Sequence, residues 1–274
     1  MIRSMLYVPA SSERFIAKAH ERGADAIILD LEDAVAESDK KQARAALPDA
    51  VTAVGRNGAT VFVRINSDPD MLLDDAEAAC RAGAFGLVVP KARDPQTFVA
   101  LASHLSAVEG AIGRAQTRFI ALIEDPAGVL DARLLARAPR VMALSSGGED
   151  LALALGGKPT PDVLRFPKLM VHYAAKAEGV LSFGLLRSVA DYADHVAVAA
   201  AVKEAREHGF DGASCVHPAI VPIINDGFAA TAEDLAWAQR VMDAAAVQDG
   251  AFTVDGAMVD APVIARAAAI LRRP

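Results

Sequence analysis

The sequence is short of the residues that build several protein classes. Only two of its 274 residues are cysteine, Cys80 and Cys215, and neither lies in a Cys-x-x-Cys or Cys/His cluster. That argues against a disulfide scaffold, a zinc ribbon or a redox motif, and leaves two reduced, buried thiols as the expectation. No apolar run approaches the roughly 18 residues that a membrane helix needs. The opening Met1-Ile2-Arg3-Ser4-Met5-Leu6-Tyr7-Val8-Pro9 lacks the basic start and long apolar stretch of a signal peptide. A soluble, cytoplasmic protein is expected. Excess base is missing as well: 28 Lys and Arg stand against 35 Asp and Glu, a net charge of −7. A general nucleic-acid surface would be basic, so none is expected. An anionic ligand would have to be held by local basic residues.

What the chain has is apolar residue, 53% of the total, enough for a large core without staples. Much of it comes as eight short runs: Met5–Val8, Ala26–Leu29, Val61–Ile65, Gly86–Val89, Phe119–Ile123, Val141–Leu144, Val180–Phe183 and Ala213–Val216. They are apolar on both faces and partly β-branched, which suits strands covered on both sides. Alanine-rich amphipathic stretches separate them. Ser11–Arg22 runs from a serine cap to a glycine stop, and Val196–His208 ends at Gly209. The alternation predicts an α/β protein, a (β/α)8 TIM barrel. A doubly wound dinucleotide sheet loses, because Pro9-Ala10-Ser11-Ser12 follows the first run where a Gly-x-Gly-x-x-Gly turn would stand. The rhythm stops near residue 228. Thr231–Ala246 and Ala261–Arg272 read as helices around a segment, Gly250–Asp260, that holds two glycines and two acids. The expected domains are a catalytic barrel, 1–228, and a C-terminal helical extension or lid, 229–274, packed over the barrel or a neighbouring subunit.

Such barrels carry chemistry at the C-terminal ends of their strands. Here those ends read Asp30-Leu31-Glu32-Asp33, then Arg64 with Asn66, Pro90-Lys91, Glu124-Asp125, Glu149-Asp150 and His217-Pro218. Any one of these is an ordinary loop charge taken alone; six of eight strands ending this way form a candidate rim. Glu124 and Asp150 follow neighbouring strands, so their carboxylates can face one space. Two acids without His or Cys suit a hard, oxygen-seeking ion such as Mg2+. The other reading is that Glu149 and Asp150 serve the N-terminus of the apolar helical run behind them.

In order along the chain stand Arg3-Ser4-x-Leu6-Tyr7-Val8-Pro9, Asp30-Leu31-Glu32-Asp33-Ala34-Val35 with Lys40 and Ala43-Arg44, Val63-Arg64-Ile65-Asn66, Val89-Pro90-Lys91, Ile123-Glu124, Gly148-Glu149-Asp150-Leu151, His217-Pro218 and Gly256-Ala257-Met258-Val259-Asp260-Ala261-Pro262. Each is weak alone, but the ordered set resembles the citrate lyase β-subunit-like enzymes of the HpcH/HpaI aldolase superfamily over nearly the whole chain. The resemblance implies a Mg2+-dependent carbon–carbon lyase (Mn2+ being a possible substitute) acting on malyl-, citramalyl- or citryl-type CoA thioesters, in a trimer or hexamer. It implies Glu124 and Asp150 as metal ligands and Arg64 as the group that contacts the oxo-acid or thioester end. It places Tyr7, Arg14 and Lys18 at the CoA, His217 beside the substrate, and Asp260 as an acid/base reaching a neighbouring subunit's site. Asp30, Glu32, Asp33 and Lys91 support the rim. Two alternatives stand beside these roles: Arg64 as a structural partner of Asp30 or Glu32, and Asp260 as a helix cap. The same site also suits thioester hydrolysis, a CoA-independent aldolase releasing pyruvate, or a subunit of a larger citrate lyase. The chain departs from the family pattern at Phe183, at Asp125, at Ala213-Ser214 before the His-Pro pair and at Arg165-Phe166-Pro167-Lys168. Phe183 is expected to alter the pocket near the seventh strand.

Overall fold

A computed structural model describes residues 1–248 and 250–272 and turns every apolar run into a strand. These are β1 Ser4–Pro9, β2 Ala26–Asp30, β3 Thr60–Arg64, β4 Gly86–Val89, β5 Arg118–Ile123, β6 Val141–Ser146, β7 Leu181–Phe183 and β8 Ala213–Cys215. They pair in the order β7-β6-β5-β4-β3-β2-β1-β8, and an isolated parallel bridge between Phe183 and Gly212 joins the two ends. The result is a (β/α)8 barrel. Gly212 is needed at that seam, because a Cβ there would stand 2.5 Å from the Arg3 carbonyl oxygen. The chain forms two compact units, one of Ile2–Gly227 and one of Met1 with the segment from Phe228 onward.

Alternation along the strands sorts the barrel interior into a floor and a rim. Met5, Ala26, Ile28, Phe62, Val88, Ile120, Leu122, Ala143 and Phe183 make the apolar floor. One further step at the same parity brings Tyr7, Asp30, Arg64, Glu124 and Ser145 to the upper end. The helices behind the loops start on strong signals. Asp68, Asp94, Asp125 and Thr160 each accept a backbone N–H of the first turn, with a proline immediately after the cap. Such starts fix where each loop ends and hold the rim residues in place. Both cysteines are buried and free, and no described helix is long and apolar enough to cross a membrane.

In the second unit the helix Ala232–Ala245 opens with a capping box between Thr231 and Asp234. The segment 250–260 is not a plain loop. It forms a hairpin, β9 Phe252–Val254 and β10 Ala257–Val259, whose turn residues Asp255 and Gly256 have φ of +53° and +79°. Asp-Gly is the pair that such a turn favours. Asp260 caps the last helix, Ala261–Leu271, with its carboxylate accepting the Val263 N–H at 3.4 Å. Ala238, Val241, Phe252, Val259 and Ala267 form this unit's own small core.

Candidate active site

Strand register builds the first half of the rim. Asp30 stands opposite Arg64 in the β2–β3 pairing, with both on the inward parity. Their side chains therefore meet as a fork: Arg64 Nε donates to Asp30 Oδ1 at 2.7 Å and Nη2 to Oδ2 at 2.6 Å. Arg64 Nη1 donates to Asp33 at 2.9 Å and pairs with Glu32 Oε2 at 3.1 Å. Burial alone would make the guanidinium easier to deprotonate, but hydrogen bonds and charge from Asp30 outweigh it and raise its pKa. The cation also lies 5.2 Å from the Tyr7 ring centroid. Burial raises the Tyr7 phenol, against the pull of Arg64, so it stays protonated. Arg64 is thus a structural partner of Asp30, as one reading of the sequence had it, and it lines the cavity as well. Three of its five N–H groups are taken by Asp30 and Asp33, which leaves donors for a ligand.

Glu32 is buried and links this cluster to Lys91, whose ammonium is 3.1 Å away. Glu32 Oε2 is buried with no hydrogen-bond donor, although Arg64 lies at ion-pair distance. Burial, reinforced by Asp33, raises this carboxyl against the pull of Arg64 and Lys91. Asn66, read as a rim residue, turns to a different task. Its N–H and side-chain Nδ2 both donate to buried Asp75, which also pairs with Arg44, while Lys40 donates to Asn66 Oδ1. That network ties the loop after β3 to the helix Lys40–Ala45.

The second half of the rim is acid without base. Glu124, 6% exposed, accepts the Lys91 backbone N–H at 2.8 Å. Lys91 adopts a left-handed backbone, φ +50°, an uncommon conformation for a lysine and one that marks a constrained turn. Among the described residues, no Lys or Arg side chain pairs with Glu124 or Asp150. Burial pushes the Glu124 carboxyl up to about 7, with Glu32 and Asp150 adding to the rise against the Lys91 N–H and the field of Arg64. Gly147 is packed against it, since a Cβ there would stand 2.6 Å from Glu124 Oε1. Asp150 is exposed, in the first turn of the helix Gly148–Ala154, and makes no side-chain cap there. Glu149 turns away to accept the Ser188 hydroxyl. Asp125 caps its own helix through the Gly128 N–H at 2.7 Å.

Three cavities meet around these groups. One of about 430 Å³ is lined by Tyr7, Asp30, Arg64, Glu124, Ser145 and Asp150, among others. A second, about 860 Å³, shares Glu124 and Asp150 and continues past Lys91 and Arg93. A third, about 560 Å³, adjoins the first through Tyr7, Pro9 and Val216, and holds Arg14, Lys18, Arg22 and His217. His217 stacks on Tyr192 with ring centroids 5.0 Å apart. Sequence reasoning missed Arg22, although it continues the four-residue spacing of Arg14 and Lys18. It also missed Ser188 and Ser214, whereas Ser145 stands at the end of the sixth apolar run and follows from parity along β6. Phe183 lies 1% exposed in the apolar floor and lines none of these three cavities itself. The chain turns at Gly184, φ +154°, and Ser188 and Val189 line the cavity instead.

The model of the HpcH/HpaI aldolase/citrate lyase family matches residues 3–218, which contain all eight strands and every barrel residue named above. The chain belongs to that family. Citrate lyase subunit beta of Haemophilus influenzae is 31% identical over 281 residues, covering 99% of this chain and 96% of that protein. The (3S)-malyl-CoA thioesterase of Cereibacter sphaeroides is 32% identical over 265 residues, covering 94% and 89%. The CitE protein of Mycobacterium tuberculosis, solved with magnesium, acetoacetate and coenzyme A, matches with a TM-score of 0.81 at 32% identity. That match covers 99% of this chain and 97% of the other.

Proposed function

We propose that this chain is a Mg2+-dependent carbon–carbon lyase that splits a short 3-hydroxy-dicarboxyl-CoA into a 2-oxo acid and an acyl-CoA. The observation that carries the reading is the pairing of two unneutralised carboxylates, Glu124 and Asp150, with the held cation of Arg64 around one cavity. Among the described residues, no three His, Cys, Asp or Glu side chains form a metal cage. Mg2+ needs only one or two carboxylates and keeps its other positions for water and substrate, so this donor set fits it. The elevated Glu124 pKa points the same way, since a cation between the acids would relieve their repulsion. Structures of the M. tuberculosis relative with magnesium and coenzyme A support both ligands.

Cleavage removes the hydroxyl proton and breaks the bond between the hydroxyl-bearing carbon and the carbon beside the thioester. The electron pair stays on the latter carbon, which then takes up a proton. When bound, Mg2+ supplies Lewis-acid stabilisation and a fixed orientation for the oxo-acid half. Arg64, clamped by Asp30 and Asp33, presents its remaining N–H groups to carboxylate or enolate oxygen without having to reorganise. Arg14, Lys18 and Arg22 in the adjoining cavity face the phosphates of CoA, with His217 and Tyr7 nearer the reacting end. Asp260 of a second copy serves as the acid/base group in a homo-oligomer. Mixing Glu124→Ala with Asp260→Ala subunits should then restore part of the activity, and no recovery would count against a shared site.

The experiment is turnover of malyl-, citramalyl- and citryl-CoA by the purified chain, with Mg2+ and with EDTA. Mg2+-dependent release of a 2-oxo acid and an acyl-CoA is the expected result. Free CoA with the intact hydroxy diacid would instead support thioester hydrolysis, the activity named for the C. sphaeroides relative. No turnover of any of the three would contradict the stand-alone lyase.

A further inference from the structure

The helix Pro161–Ala177 carries a lysine in its buried face. Lys168 is 3% exposed, a place where lysine is rarely found unless a carboxylate pairs with it. Its ammonium donates to the Ser146 carbonyl oxygen at 3.0 Å and lies 3.4 Å from Ser146 Oγ. Among the described residues it has no ion pair; Glu149 acts on it only through its field. Burial pushes this amine down to about 8, so the fold bears a cost for keeping it there. An apolar side chain of similar length would fill the space more cheaply.

What the ammonium holds is the start of the turn that presents Asp150. Ser146 is the last residue of β6, and Gly147 and Gly148 follow it. Both glycines are closely packed, Gly147 on the Glu124 side and Gly148 against the lysine's own helix and Ser188. A Cβ on Gly147 would strike Glu124, and one on Gly148 would come within 3.2 Å of Leu164 and Ser188. The Gly147 N–H donates to the Ile123 carbonyl at 3.0 Å, directly before Glu124. The turn is therefore bonded on the Glu124 side by its own backbone and on the helix side by one buried lysine.

We propose that Lys168 is a positioning residue for the metal-binding pair: its hydrogen bond to the Ser146 carbonyl holds the 146–150 turn so that Asp150 stays beside Glu124. Lys168 lines none of the three cavities at the rim and acts through the turn. The proposal rests on the Mg2+ reading above. A supporting group beneath a metal ligand commonly changes metal affinity by about tenfold to a hundredfold when lost.

The test is calorimetric titration of the full chain with MgCl2, for wild type, Lys168→Met and Lys168→Arg, with the melting temperature of each at pH 7. K168M is expected to bind Mg2+ about tenfold or more weakly, yet to melt no lower than wild type. K168R keeps a cationic donor for the Ser146 carbonyl and is expected to restore binding to within about threefold. K168M binding Mg2+ like wild type overturns the proposal. So does a K168M that melts lower or fails to fold, because that is a merely structural role. A wild type that binds no Mg2+ overturns the metal reading itself, a result distinct from either.

Discussion

The two halves of the barrel rim solve opposite electrostatic problems. On the β2–β3–β4 side every charge has an opposite partner: Arg64 is ringed by Asp30, Glu32 and Asp33, and Lys91 pairs with Glu32. On the β5–β6 side Glu124 and Asp150 stand without a cationic side chain among the described residues, and Glu124 is driven up to about 7. The paired half is cross-linked within the chain by hydrogen bonds and ion pairs. The unpaired half bears a repulsion that a divalent cation would remove. On the function proposed above, the difference would separate an anion receptor from a metal seat, although both are built largely of carboxylates.

The sharpest way to break this comparison is to remove the unpaired acids. Glu124→Ala or Asp150→Ala should lower lyase turnover by about a thousandfold or more, abolish Mg2+ binding and leave the melting temperature unchanged or higher. A large loss of stability would mean that the acids are structural. Arg64→Ala should behave in the opposite way. Besides losing about a hundredfold in turnover, it leaves Asp30 and Asp33 without their cation and Glu32 with Lys91 alone, and should cost about 3 kcal/mol of stability in denaturant titration. Arg64 retained in activity but not in fold would place it wholly in the structural column.

A smaller effect concerns pH. Lys168 has a folded pKa of about 8 against an ordinary 10.5. Below 8 the buried amine is charged in both states and carries its full burial cost. Between 8 and 10.5 the unfolded chain binds a proton that the folded chain does not, so wild-type stability should rise with pH relative to K168M. Glu149 is the charged group that opposes this shift. The upper bound on the rise is about 3 kcal/mol, measured as the difference between the two proteins' unfolding free energies across the window. A flat difference would show that Lys168 titrates normally. The smallest effect lies in the basic cleft: Arg14→Ala, Lys18→Ala and Arg22→Ala should each raise KM for the CoA thioester by about threefold to tenfold with little change in kcat. Unchanged KM in all three would remove that cleft from CoA binding.

Much of this was legible in the sequence because barrel strands are short, apolar on both faces and followed at once by polar residues. Glu124 and Asp150 could be named from neighbouring strand ends alone. Arg64 as a partner of Asp30 or Glu32 is one of two readings of the sequence, and register across β2 and β3 selects the Asp30 fork. Asn66 reads as a rim residue, yet it is drawn aside by Asp75, a helical acid whose burial no local pattern announces. The depth of Phe183 is not readable from the sequence: β7 stops at Phe183, one parity step short of the rim, which leaves the aromatic in the floor. The 252–259 hairpin, in contrast, was readable from Asp255-Gly256 and went unrecognised because each of its strands is only three residues long. Lys168 is the hardest case: a lysine in an amphipathic helix reads as surface, and only packing shows it inside.

The most direct test of the central claim is a crystal of this chain grown with MnCl2 as an anomalously scattering stand-in for Mg2+. The account predicts an anomalous peak between the carboxylates of Glu124 and Asp150, absent from the Asp30–Arg64 cluster. A fully formed site with no peak at that pair, or with the ion elsewhere on the rim, would contradict it.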